Sequence, residues 1–169
     1  MPFISQAEAV DTINTFLKDS VFGEWHLKTV LIPTNTRVWK RRKEAKQYRK
    51  KSLLLEAGIA RMQYTDIEKP IYDIQTLNSE EMLFENFFLT KESVGITSEN
   101  LTTIIASSES ENSAMLYSNK TMYVSWNEVI YVYTKEKTLL RKITFSKITR
   151  ISQLERYLRY KTRTKKAAQ

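Results

Sequence analysis

Charge segregation constrains this chain more than any other property of its sequence. Between Arg37 and Lys51 nine basic residues stand against Glu44 alone, a local net charge of +8. Between Arg141 and Lys166 ten stand against Glu155 alone, a net of +9. The remaining stretches, 1–36 and 52–140, hold eight basic and seventeen acidic side chains, a net of −9. The overall +8 describes a polarised chain, with two basic blocks attached to a mildly acidic body. Such segregation presents a positive face to a polyanion. A solvated helix and a charged tail show the same pattern.

Composition sets the class. With 169 residues, 41% of them hydrophobic and 11% aromatic, the chain is long and apolar enough for one domain with a core. Three glycines and three prolines leave no flexible linker, so a single compact unit over 1–169 is expected. The sequence has no cysteine and one histidine, His26, which removes disulfides, thiolate or paired-histidine zinc sites and a cysteine nucleophile. No cofactor or metal is expected. No apolar run approaches the length of a membrane span, and Met1–Ser5 leads into an amphipathic segment instead of a signal peptide's apolar stretch. A cytoplasmic location is the expectation.

Local patterns divide the chain into a helix-rich part, 1–78, and a β-rich part, 79–169. Ser5-Gln-Ala-Glu8 is a capping box, and Ala9, Val10, Ile13, Phe16 and Leu17 recur at helical spacing behind it, with Gly23 as a stop. Trp25–Ile32, rich in β-branched and aromatic residues and closed by Pro33, predicts a strand. From Val38 a helix is predicted to about Lys51, with Val38, Ala45 and Tyr48 on one stripe and Arg42, Lys46, Arg49 and Lys50 on another. The stripe continues through Ser52, Leu55, Ile59 and Met62, but Ser52–Tyr64 also reads as two short strands about Ala57-Gly58.

Seven strands are predicted after Pro70: 84–89, 94–97, 101–106, 114–117, 122–126, 128–133 and 139–145, with the polar Ser107–Ser113 as a loop. Their short spacing implies an antiparallel meander. A second capping box, Ser152-Gln-Leu-Glu155, opens a terminal helix with Leu154 and Leu158 inward and Arg156, Arg159 and Arg163 outward. The expected class is α+β, with N-terminal helices packed on a C-terminal antiparallel meander and closed by the basic terminal helix.

The segments Phe87-Phe-Leu-Thr-Lys-Glu-Ser-Val-Gly-Ile-Thr97 and Met122-Tyr-Val-Ser-Trp-Asn-Glu-Val-Ile-Tyr-Val-Tyr133, in an order of short strands closed by a helix, resemble bacterial pleckstrin-homology-like domains. The likeness covers roughly the second half of the chain. It implies a binding scaffold for peptides or anionic lipid headgroups without chemistry of its own. The helical first half departs from that family's pattern.

Residues for catalysis are sparse. His26 stands between Trp25 and Leu27, a setting more often structural than catalytic, and the glycines are too scattered for a phosphate loop. Glu44-Ala-Lys46 has the local spacing of a metal nuclease, but on a helix residues two apart diverge by about 200°. Asp66, Glu68 and Asp73, and Glu80, Glu81 and Glu85, are acidic triplets of a kind common on solvated surfaces. The expectation is a non-enzymatic protein.

Recognition has more material. In Trp39–Lys51 phosphate-seeking cations are interleaved with Trp39 and Tyr48, and in the terminal block with Tyr157 and Tyr160. Nucleic-acid binding is the first expectation, with Arg41, Arg42, Lys46, Arg49, Lys50, Arg156, Arg159 and Arg163 on phosphates and Trp39, Tyr48 and Tyr157 available for stacking. A protein-binding adaptor or inhibitor is the alternative. An anionic membrane surface ranks lower, because 37–51 supplies only Val38, Trp39 and Tyr48 for an inserting face.

Overall fold

A computed structural model describes residues 5–33, 38–47, 52–78, 95–97, 100–126, 129–136 and 144–148. Among them the chain is mostly antiparallel β. It runs α1 (Gln6–Phe16), a π-helical turn (Leu17–Val21), β1 (Gly23–Pro33), α2 (Val38–Gln47), β2 (Leu53–Leu55), β3 (Ile59–Arg61), β4 (Asp66–Glu68) and β5 (Ile71–Asn78). Then follow β6 (Asn100–Ser107), β7 (Asn112–Ser118), β8 (Thr121–Trp126), β9 (Val129–Thr134) and β10 (Thr144–Ile148). Strand order is β4-β3-β2-β1-β9-β8-β7-β6-β5, with β10 parallel beside β1 and every other pair antiparallel.

The sheet curls. Strands β2–β4 carry Leu53, Leu55, Ala60, Met62 and Ile67 into one core with Val30, Ile32, Ile104, Met115, Met122, Val124, Tyr131 and Tyr133 of the larger sheet. Polar contacts pin this flap. Gln63 donates to the Tyr133 hydroxyl, Tyr64 hydrogen-bonds Ser113 at 2.6 Å and stacks on Trp126 at 4.0 Å, and the Tyr72 hydroxyl donates to the Glu56 carbonyl at 2.8 Å. Leu31, Leu101, Leu116, Ile130 and Val132 form a second cluster with Ile96. Side chains of successive strand residues point to opposite faces, so β9, apolar at both parities, is buried on both sides.

At the amino end of β1, the predicted capping box is formed: the Glu8 amide donates to Ser5 Oγ and the Ser5 amide to Glu8 Oε2, both at 3.2 Å. The helix closes in the π-turn, where Leu17 and Val21 are buried and the Trp25 indole donates to the Val21 carbonyl at 2.8 Å. No helix among the described residues is long and apolar enough to cross a membrane.

The expected α+β arrangement, helices docked on a C-terminal meander, is overturned. Only two α-helices occur among the described residues, and β1 lies inside the sheet, bonded to β2 and β10 as well as β9. The helix begun at Val38 does not extend through Met62. Ser52–Tyr64 adopts the two-strand alternative, because Leu53, Leu55, Ala60 and Met62 all reach the core only in an extended chain reversed at Ala57-Gly58. A further strand, β5, stands where none was predicted. Gly95–Thr97, expected as part of a strand, is a turn and irregular chain.

The predicted strands at 101–106, 114–117, 122–126 and 128–133 match β6–β9, which with β5 make a meander. Of the strand at 139–145 only Thr144 and Phe145 are described, at the start of β10, and that at 84–89 lies outside the described residues, as do the second capping box and the terminal helix. Of the pleckstrin-like segments, the second forms β8 and β9; the first is described only at 95–97.

Candidate nucleic-acid interface

The strands that precede α2 and the Arg150–Lys166 stretch in the chain pair with each other. Strands β1 and β10 run parallel in the register Thr29↔Thr144 to Pro33↔Ile148, with the two threonine hydroxyls hydrogen-bonded at 2.8 Å. Neighbouring strands lie about 4.8 Å apart, and parallel ones end at the same side of a sheet. The chain therefore leaves Pro33 toward α2 and leaves Ile148 toward the Arg150–Lys166 block from adjacent points.

From there α2 turns back onto the body. Ala45 is fully buried in the main core and anchors the helix, with Arg41 one turn before it half-buried. The Arg41 guanidinium donates to Glu44 Oε2 at 3.0 Å, an ion pair that also occupies the only carboxylate of this block. Lys40, Arg42, Lys43 and Lys46 are exposed. Arg42 and Lys46, four residues apart, share a side of the helix. The guanidinium carbon of Arg42 lies over the Phe145 ring of β10, 4.9 Å from its centroid.

Of the residues expected on phosphate, Arg41, Arg42 and Lys46 are thus placed together on α2. Trp39 falls in its first turn. Tyr48, Arg49, Lys50, Arg156, Tyr157, Arg159 and Arg163 lie outside the described residues. Phe145 was missed as a site residue: the sequence marks it as an apolar strand position, and nothing local ties it to an arginine so distant in the chain.

Groups considered for catalysis are dispersed. His26 is half-buried in β1, opposite Thr134 of β9. Glu44 is held by Arg41, Asp66 lies 3.7 Å from Arg61, and Asp73 stands on β5; Glu80, Glu81 and Glu85 lie outside the described residues. Among the described residues no three His, Asp or Glu side chains converge as metal ligands. An open hollow beside α1 and the π-turn is lined by Asp11, Thr12, Thr15, Phe16, Asp19 and Ser20. Its two carboxylates give it the wrong sign for a polyanion, and it adjoins the elements before β1, whereas α2 follows β1.

No protein-family model, curated protein or solved structure matches this chain.

Proposed function

We propose that the protein binds nucleic acid without acting on it chemically, through a bipartite basic site formed by α2 and the Arg150–Lys166 block. The reading rests on one observation, the parallel pairing of β1 and β10. That pairing starts both blocks from the same end of the sheet, with Pro33 and Ile148 as register partners. Two positive segments that follow paired strand ends in the chain would reinforce each other's potential toward one polyanion. Phosphate is the anion whose regular spacing repays such an arrangement, since each phosphate neutralised releases condensed counterions.

Within α2 the cations divide by role. Arg41, paired with Glu44, braces the helix. Arg42 and Lys46 are the exposed pair on one side, and they are the phosphate contacts assigned to this half of the site. Ala45 holds the helix to the core, so its cations are presented on a fixed element.

The test is charge reversal of Arg42→Glu with Lys46→Glu, read by titration against labelled single-stranded and duplex 20-mers at low salt. Loss of most binding with an unchanged circular dichroism spectrum is expected. A folded double variant that binds like the wild type contradicts the reading. Retained binding to anionic vesicles with none to oligonucleotide transfers the site to a membrane surface.

A further inference from the structure

We infer that Phe145 is a positioning residue that pre-orients Arg42 as a two-pronged clamp for a phosphodiester group. The inference rests on the nucleic-acid reading and adds to it a residue from the other side of the site. Phe145 is half-buried, with one part of its ring packed against the main core, and so is fixed. Arg42 is exposed, and its guanidinium carbon stands 4.9 Å from that ring's centroid. A guanidinium attracted to a ring face spends none of its N–H donors, which lie in its own plane. Held at that ring by its charge, Arg42 has N–H donors left to offer an anion. Arg41, by contrast, uses a donor on Glu44. An arginine already held in one orientation loses less side-chain entropy when two of its donors meet two phosphate oxygens.

The contact also joins α2 to β10. Phe145 belongs to the strand that leads into the second basic block, and Arg42 to the first. Breaking it leaves the net charge intact but unfixes Arg42, so one phosphate contact weakens while nonspecific attraction stays.

The experiment compares Phe145→Leu, Phe145→Tyr and Arg42→Lys in oligonucleotide binding over a salt series, with thermal unfolding of each. Leucine keeps an apolar contact and removes the ring; tyrosine keeps the ring; lysine keeps the charge and removes the fork. Phe145→Leu is expected to weaken binding about two- to fivefold and to make the salt slope shallower, and Phe145→Tyr to restore both. Arg42→Lys is expected to match Phe145→Leu, and the double variant to lose no more than either. This non-additivity and the tyrosine rescue are effects that a purely structural Phe145 does not produce. Wild-type affinity in Arg42→Lys, a variant that leaves the core untouched, overturns the inference even where Phe145→Leu fails to fold. Equal losses in the tyrosine and leucine variants overturn it as well. If the wild type binds no oligonucleotide, the nucleic-acid reading falls and takes this inference with it.

Discussion

Lys120 adopts a backbone conformation that its side chain disfavours. The β7–β8 hairpin turns through Asn119 and Lys120 at φ +47° and +60°, both positive as a two-residue turn between twisted strands requires. Asparagine tolerates this region; lysine pays roughly 1–2 kcal/mol, more than the roughly 0.5–1 kcal/mol of chain entropy that glycine brings to the unfolded state. Lys120→Gly should therefore stabilise the protein by about 0.5–1 kcal/mol, visible as a higher urea midpoint, and a lower midpoint would contradict this assignment of the turn. Tyr72 gives a pH-dependent counterpart. Burial pushes its phenol up to about 12, and its hydroxyl donates to the Glu56 carbonyl. In the unfolded chain the group titrates near 10. The folded state thus favours the protonated phenol: this contribution is complete below pH 10 and disappears as pH rises through 12. Tyr72→Phe should flatten the fall in stability over that window, and parallel curves for the two proteins would refute the assignment.

Among the elements, β1 does the most to place the site, and it does so through an irregularity. Its register against β9 slips between Leu27 and Thr29, leaving Lys28 as an extra residue. Trp25 and Leu27 face the main core before the bulge, Val30 and Ile32 after it, while Leu31 joins the second cluster. Deleting Lys28 forces a choice between keeping the first pair inward or the second. Moving Val30 and Ile32 out of the core costs about 3 kcal/mol or more, so the deletion variant should lose cooperative thermal unfolding. A deletion variant as stable as the wild type would show that the bulge does not set the faces. The strand itself is legible in its β-branched and aromatic residues, but the bulge is not, since a run apolar at several adjacent positions fits either parity. Strands β6–β9 are legible because polar turns bound each one. In 52–64 helical and strand spacings coincide over a few residues, and only the long-range pairing of β2 with β1 decides between them. Strand β5 escaped because Ile71, 72% exposed, breaks the alternation carried by Tyr72 and Ile74.

At the scale of the whole molecule, polarity follows topology. The acidic hollow beside α1 precedes β1, and the basic helix follows it, so one strand separates the two signs. Charge segregation is plain in the sequence; its spatial arrangement is not. The parallel pairing of β1 with β10, a strand from the far end of the chain, leaves no local trace in the sequence. A shared site requires both blocks to engage phosphate at once. Salt dependence of oligonucleotide binding tests it directly, because the log–log slope on duplex DNA is about −0.9 per phosphate contacted. The wild-type slope should be steep, and Arg42→Glu with Lys46→Glu should make it shallower, as should Arg156→Glu with Arg159→Glu and Arg163→Glu. A shallow wild-type slope, or one that only a single block's reversal changes, would contradict a shared site.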